Sequence, residues 1–231
     1  MKNAKTILRG DLDNSIHCSL KNMLRKKFQI QIDKLNNALI EMGNMAANAI
    51  ALCAQALTKQ DKDLCNEVIT LERELDSQKA YIENKTIKLL LMQQPVAKDL
   101  RLITTATKMA ADLERIGDQA RDVCEIVLSL CDETYQVDLK ILPQMGEIIM
   151  VMTSSCIKAF IDKDIDKAKE VIALDDKVDE LFDTLKSKMI KSLKSQPKYA
   201  DQMIYFLMIG KHFEKIGDYV ENVAKRIVVA I

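Results

Sequence analysis

Acid-x-x-x-Asp pairs, with carboxylates four residues apart, stand at four repeat-equivalent places: Glu72/Asp76, Glu114/Asp118, Asp175/Asp179 and Glu214/Asp218. On a helix that spacing puts both carboxylates on one face, where like charges repel unless something neutralises them. Pro95 marks a turn between the segments that carry the first two pairs. Asp76 lies 95 − 76 = 19 residues before it and Glu114 lies 114 − 95 = 19 after, while Glu72 and Asp118 lie 23 before and 23 after. Two antiparallel helices of equal rise therefore bring all four carboxylates to one level. Around Pro197 the other two pairs lie 18 and 22 residues before and 17 and 21 after, so the arrangement recurs.

Four clustered carboxylates are a hard-oxygen donor set, suited to Mg²⁺, Ca²⁺, Mn²⁺ or ferric iron rather than to the thiolate chemistry of structural zinc. Taken singly, each pair reads most simply as a solvated helix face. Arg73, Lys79, Arg115, Arg121 and Lys215 are then available as surface partners of small worth. The hairpin register and its duplication are what favour an ion. Asp122 and Asn222 continue the row one turn on, as outer ligands or as solvated residues. Gly117 and Gly217 sit between the acids of their pairs, where a helical glycine costs about 1 kcal/mol relative to alanine. Close packing of the neighbouring helix at the site, or close approach of bound ions, is the expected reason. His17 and His212 are isolated and read as non-ligands, and Asp99 reads as an acid in the first turn of a helix.

These acids need helices to hold them, and the composition supplies helices. Aromatics are 4% of the chain with no Trp, and only 6 Gly and 3 Pro interrupt it. Ala, Leu, Lys, Glu and Met favour helix. An internal repeat organises the chain. Residues 40–57 align with 143–160, so that Met42-Gly43 falls on Met145-Gly146 and Cys53 on Cys156, an offset of 146 − 43 = 103. The same offset carries Asp61, Asp63, Glu67, Val68 and Asp76 onto Asp164, Asp166, Glu170, Val171 and Asp179. Glu114-Arg115-Ile116-Gly117-Asp118 then falls on Glu214-Lys215-Ile216-Gly217-Asp218 at an offset of 214 − 114 = 100, after small loop deletions.

Each repeat reads as three helices, near 28–59, 62–93 and 97–131, then near 142–162, 165–195 and 198–230, with all three prolines at junctions. The expected fold class is all-α: two tandem three-helix bundles related by the repeat. The first bundle covers 23–131 and the second 142–231, with a connector at 132–141. Residues 1–22 have no counterpart in the repeat and read as a weakly held extension. The stripe Ile103, Ala106, Ala110, Leu113, Gly117, Ala120, Cys124 and Val127 has the spacing of a bundle seam, widened by Met109, Ile116 and Val123.

Lysine plus arginine and aspartate plus glutamate each number 34, so the net charge gives no general push toward nucleic acid or anionic lipid. The six cysteines form no Cys-x-x-Cys pair and read as free thiols of a reducing compartment. There is no apolar run of about 18 residues and no secretory leader, which points to a cytoplasmic protein. No Glu-x-x-His, phosphate-binding loop, nucleophile elbow or Cys/His dyad occurs, and the chain reads as a non-enzyme.

The segments PVAKDLRLITTATKMAADLERIGDQARDV and HFEKIGDYVENVAKRIV resemble the PhoU family, over about residues 23–231. The resemblance implies tandem three-helix bundles in a cytoplasmic, dimeric protein at the inner face of the membrane. It implies a negative regulator of phosphate uptake and of the phosphate-starvation response, an adaptor between the ATPase of the phosphate ABC importer and a phosphate-sensing histidine kinase. Some members bind multinuclear metal through the acid-x-x-x-Asp motifs, which fall here on the eight acids named above. Iron, zinc, manganese or magnesium would then be the cofactor. The competing readings are a carboxylate-bridged metal protein with hydrolytic or redox activity, and a purely structural helical scaffold.

Overall fold

Gln60 and Lys163, equivalent across the repeat, both take left-handed backbone, with φ of 53° and 55°. Each is followed by an aspartate that caps the next helix. Asp61 Oδ1 accepts from the backbone N–H of Asp63 at 2.9 Å and of Leu64 at 3.2 Å. Asp164 Oδ1 accepts from Lys167 N–H at 2.9 Å. One such residue ends a helix and its aspartate neighbour starts another, so two residues make the tight helix-to-helix turn of each repeat.

The computed structural model describes residues 3–92 and 97–231. The side chains of residues up to 22, and those of Leu24, Met92 and Lys98, are not among those described. The helices are α1 (Asn3–Lys59), α2 (Lys62–Met92), α3 (Ala97–Leu130), α4 (Ile141–Asp162), α5 (Ile165–Ser195) and α6 (Ala200–Ala230), with a short 3₁₀ turn over Pro197–Tyr199. The fold is all-α, two tandem three-helix units, as the repeat requires; among the described residues there is no strand. Pro95 lies outside the described residues. The backbone of residues 3–22 belongs to α1, and the expectation of a weakly held extension there concerns side chains outside the description.

Within each unit the middle helix runs back along the other two, so α1 pairs with α3 and α4 with α6 in parallel. The units meet through α1 against α4 and α3 against α6, which leaves α2 and α5 on the two outer flanks. A single apolar core runs through both units. Ile103, Ala106, Met109, Ala110, Leu113, Ile116, Ala120, Val123, Cys124 and Val127 of α3 are all buried in it. The α1/α4 crossing repeats itself. A Cβ on Gly43 of α1 would stand 2.9 Å from Ile157 Cγ1 of α4, and a Cβ on Gly146 of α4 would stand 3.2 Å from Ala54 Cβ of α1. These two contacts map onto one another at the offset of 103, so a pseudo-twofold relates the units.

The α3/α6 seam is less symmetric and carries polar groups. Arg226 Nε donates to Asp112 Oδ2 at 2.5 Å, with the Asp112 side chain only 3% exposed. His212 Nδ1 lies 2.9 Å from Gln119 Oε1, and the Arg115 guanidinium sits over the Tyr219 ring at 5.7 Å. Burial lowers the pKa of His212, only partly opposed by Asp122, which holds it neutral near pH 7. The connector is tied down by Gln202 of α6, which accepts from Gln136 N–H at 3.0 Å and donates to Thr134 O at 3.1 Å.

Candidate cation sites on the outer helix hairpins

Each acid row lies where an outer helix packs on its hairpin partner, α2 on α3 and α5 on α6. Depth grades the carboxylates. Glu72 and Asp175 are buried, each 7% exposed. Glu114, Asp118 and Glu214 are half-buried, whereas Asp76, Asp179 and Asp218 are exposed. Gly117 and Gly217 are buried in the middle of the contact. A Cβ on Gly117 would stand 2.5 Å from Leu75 Cδ1; one on Gly217 would stand 2.6 Å from Asp175 Oδ1 and 3.4 Å from Val178 Cγ1. The first glycine thus seats a leucine, and the second seats a carboxylate oxygen.

In the first unit the acids are compensated by cations that reach over from other positions. Arg121 of α3 donates to Glu72 of α2, to Asp118 at 3.3 Å and to Asp122 at 3.0 Å. Its Nε also lies 3.7 Å from Glu125. Lys79 of α2 donates to Glu114 of α3 at 3.0 Å. Burial raises the Asp118 pKa to about 6; Glu114 adds to the rise, Arg121 opposes it, and Glu72 and Asp76 add further. The α2 and α3 pairs therefore share one electrostatic neighbourhood.

The second unit differs at the compensating positions. Arg121 is replaced at the offset of 100 by Glu221, and Lys79 at the offset of 103 by Phe182. Glu214 receives its cation from its own helix instead, Lys211 Nζ at 2.5 Å, and Glu221 is bonded by Lys225 at 2.5 Å. Both lysines are about half exposed. Asp175 has no such partner: its buried Oδ1 makes no hydrogen bond. Burial raises the Asp175 pKa to about 7, with Glu221, Asp179, Asp218 and Glu214 adding to the rise. Asp179 and Asp218 are also raised, by burial first and by Glu214 next.

Asp122 lies on the Arg121 guanidinium, and Asn222, its equivalent, is half-buried on α6. Among the described residues, no group of three or more His, Cys, Asp or Glu is drawn together closely enough to hold a metal ion as the side chains stand. The donor chemistry of the second set fits a hard cation, since an oxygen lacking a partner is buried at its centre. In the first set the equivalent Glu72 is already bonded to a guanidinium, which does not fit. Glu221, Lys211 and Phe182 were not among the sequence candidates. Carrying the repeat alignment past Asp118 and Asp76 would have flagged Glu221 and Phe182.

Among the described residues, Cys53, Cys65, Cys124, Cys131 and Cys156 are free thiols, and no helix is long and apolar enough to cross a membrane. Burial pushes the Cys156 thiol up to about 12, which makes it unreactive.

The PhoU domain matches this chain twice, over residues 39–127 and 142–227. A relative from Clostridium acetobutylicum, the phosphate-specific transport system accessory protein PhoU homolog, is 35% identical over 90% of this chain and 96% of its own length. The crystal structure of PhoU from Pseudomonas aeruginosa superposes with a TM-score of 0.85 at 25% identity, over 88% of this chain and 98% of that one. That of the phosphate transport system regulatory protein PhoU from Streptococcus pneumoniae gives 0.81 at 25% identity, over 88% and 96%. With both halves matched in order and the two-unit fold shared, the chain belongs to the PhoU family.

Proposed function

We propose that this protein is a regulator of phosphate uptake, acting by contact rather than by catalysis. Its family membership carries the reading: its relatives are named accessory or regulatory proteins of phosphate transport, and the chain spans nearly their whole length. In this reading the protein is cytoplasmic and homodimeric. It meets the ATPase of the phosphate ABC importer and a phosphate-sensing histidine kinase at the inner face of the membrane, and restrains the phosphate-starvation response when phosphate is plentiful. The two stacked units suit this, because a rigid double bundle offers two related outer flanks to two partners. Asp175, Asp179, Glu214 and Asp218 would hold a hard cation that supplies positive charge against buried carboxylate and ties α5 to α6.

The test is capture of the importer ATPase and the kinase from their purified forms by the full chain, at high and low phosphate. Binding of at least one partner in a phosphate-dependent manner is the expected result. Binding of neither at either phosphate level overturns the regulatory reading.

A further inference from the structure

We propose that the two carboxylate sites have diverged in kind: the first carries its cation covalently, as the Arg121 guanidinium, and the second takes a hard divalent metal ion from solution. This rests on the reading of the carboxylates as a cation site, and it is independent of the partners named above.

The duplication makes the comparison internal, since one fold supplies both sites. In the first, Arg121 binds Glu72, the most buried acid, and reaches Asp118 and Asp122 with its remaining donors. A guanidinium is planar, carries five donors and stays charged at all accessible pH values. A metal entering there would have to displace a tethered cation and would be repelled by it. In the second, the equivalent position is Glu221, so the same place holds one more negative charge. Asp175 Oδ1 sits over Gly217 without a hydrogen bond, although Asp175 is 93% buried (100 − 7). An unpartnered buried carboxylate oxygen is costly, and a cation supplies the missing interaction.

The nearby lysines do not fill that role: Lys211 is held on Glu214 and Lys225 on Glu221, both at the solvent side. Asp179 and Asp218 are exposed. Rotation of these free carboxylates toward Asp175 would close a site that the present side-chain orientations leave open. All donors are oxygen, so the class of ion is a hard divalent one with Mn²⁺ as its spectroscopic probe.

The experiment is electron paramagnetic resonance of Mn²⁺ added to the chelator-stripped full chain, with folding checked by circular dichroism. Wild type should bind Mn²⁺. Asp175→Asn should weaken that binding by about tenfold or more, whereas Glu72→Gln should leave it unchanged. Arg121→Glu, which copies the second site into the first, should add a further bound population, and Glu221→Arg should abolish the existing one. Because Arg121→Glu places like charges together, Arg121→Gln serves as a milder second variant. The proposal is overturned if wild type binds no Mn²⁺, if Glu72→Gln removes the binding, or if folded Arg121 variants gain none. A protein that captures its partners yet binds no Mn²⁺ overturns this proposal alone.

Discussion

Asp175 and Arg121 set the energetics of the two acid rows. A carboxyl whose pKa is raised from 3.8 to about 7 on folding keeps its proton in the native state through a range where the unfolded chain has lost it. Stability of the metal-free protein therefore falls as pH rises from about 4 to about 7 and levels off above that. Asp118, raised to about 6, acts in the same direction. Asp175→Asn removes the buried charge, so it should flatten this dependence and raise the thermal midpoint at pH 8 but not at pH 5. The gain at pH 8 should be roughly 1–3 kcal/mol, read by urea titration of chelator-treated protein. Arg121→Ala works oppositely. It strands the buried Glu72 carboxylate, and a loss of about 2–3 kcal/mol is expected in the same assay at pH 7.

At the scale of the helices, the turns between α1 and α2 and between α4 and α5 carry an avoidable cost. Lys163 holds φ of 55° without being glycine, and a non-glycine residue there is strained by about 1 kcal/mol. Lys163→Gly should raise stability by roughly 0.5–1 kcal/mol. Gln60 is a poorer choice for the same change, because its side chain donates to Leu130 O at 3.0 Å and to Glu133 O at 2.7 Å. The cap that follows should show the reverse effect. Asp164→Ala removes the acceptor of Lys167 N–H and should cost about 1 kcal/mol, measured as a lower thermal midpoint.

The whole molecule is held as one body by the α1/α4 and α3/α6 crossings, and the second contains a nearly buried ion pair. Asp112 has Arg226 on it at 2.5 Å across the seam between units. Asp112→Ala and Arg226→Ala should each destabilise by about 3 kcal/mol, because each leaves the other charge without its partner. The double variant should lose much less than their sum, and a double-mutant cycle in urea measures that coupling. Additive losses would show that the pair does not join the units. A second transition in the single variants would show that they unfold separately once the seam is weakened.

The all-α class, the duplication and the core stripe of α3 followed from the sequence alone, because helical period, proline placement and repeat offset are local properties of the chain. Ile103, Ala106, Ala110 and Leu113 are buried at the spacing that placed them in a seam. The acid pairs were visible in the sequence for the same reason. Which cation answers each acid depended on the tertiary structure. Arg121 and Lys79 read equally well as solvated surface charges until helix packing carried Arg121 to Glu72 and Lys79 to Glu114. The difference between Gly117, which seats Leu75, and Gly217, which seats the bare oxygen of Asp175, exists only once two helices are in contact. The Asp112–Arg226 pair joins residues 114 apart and has no local signature at all. Spacing along a helix fixes which side chains share a face; what that face meets is decided by the approach of another helix.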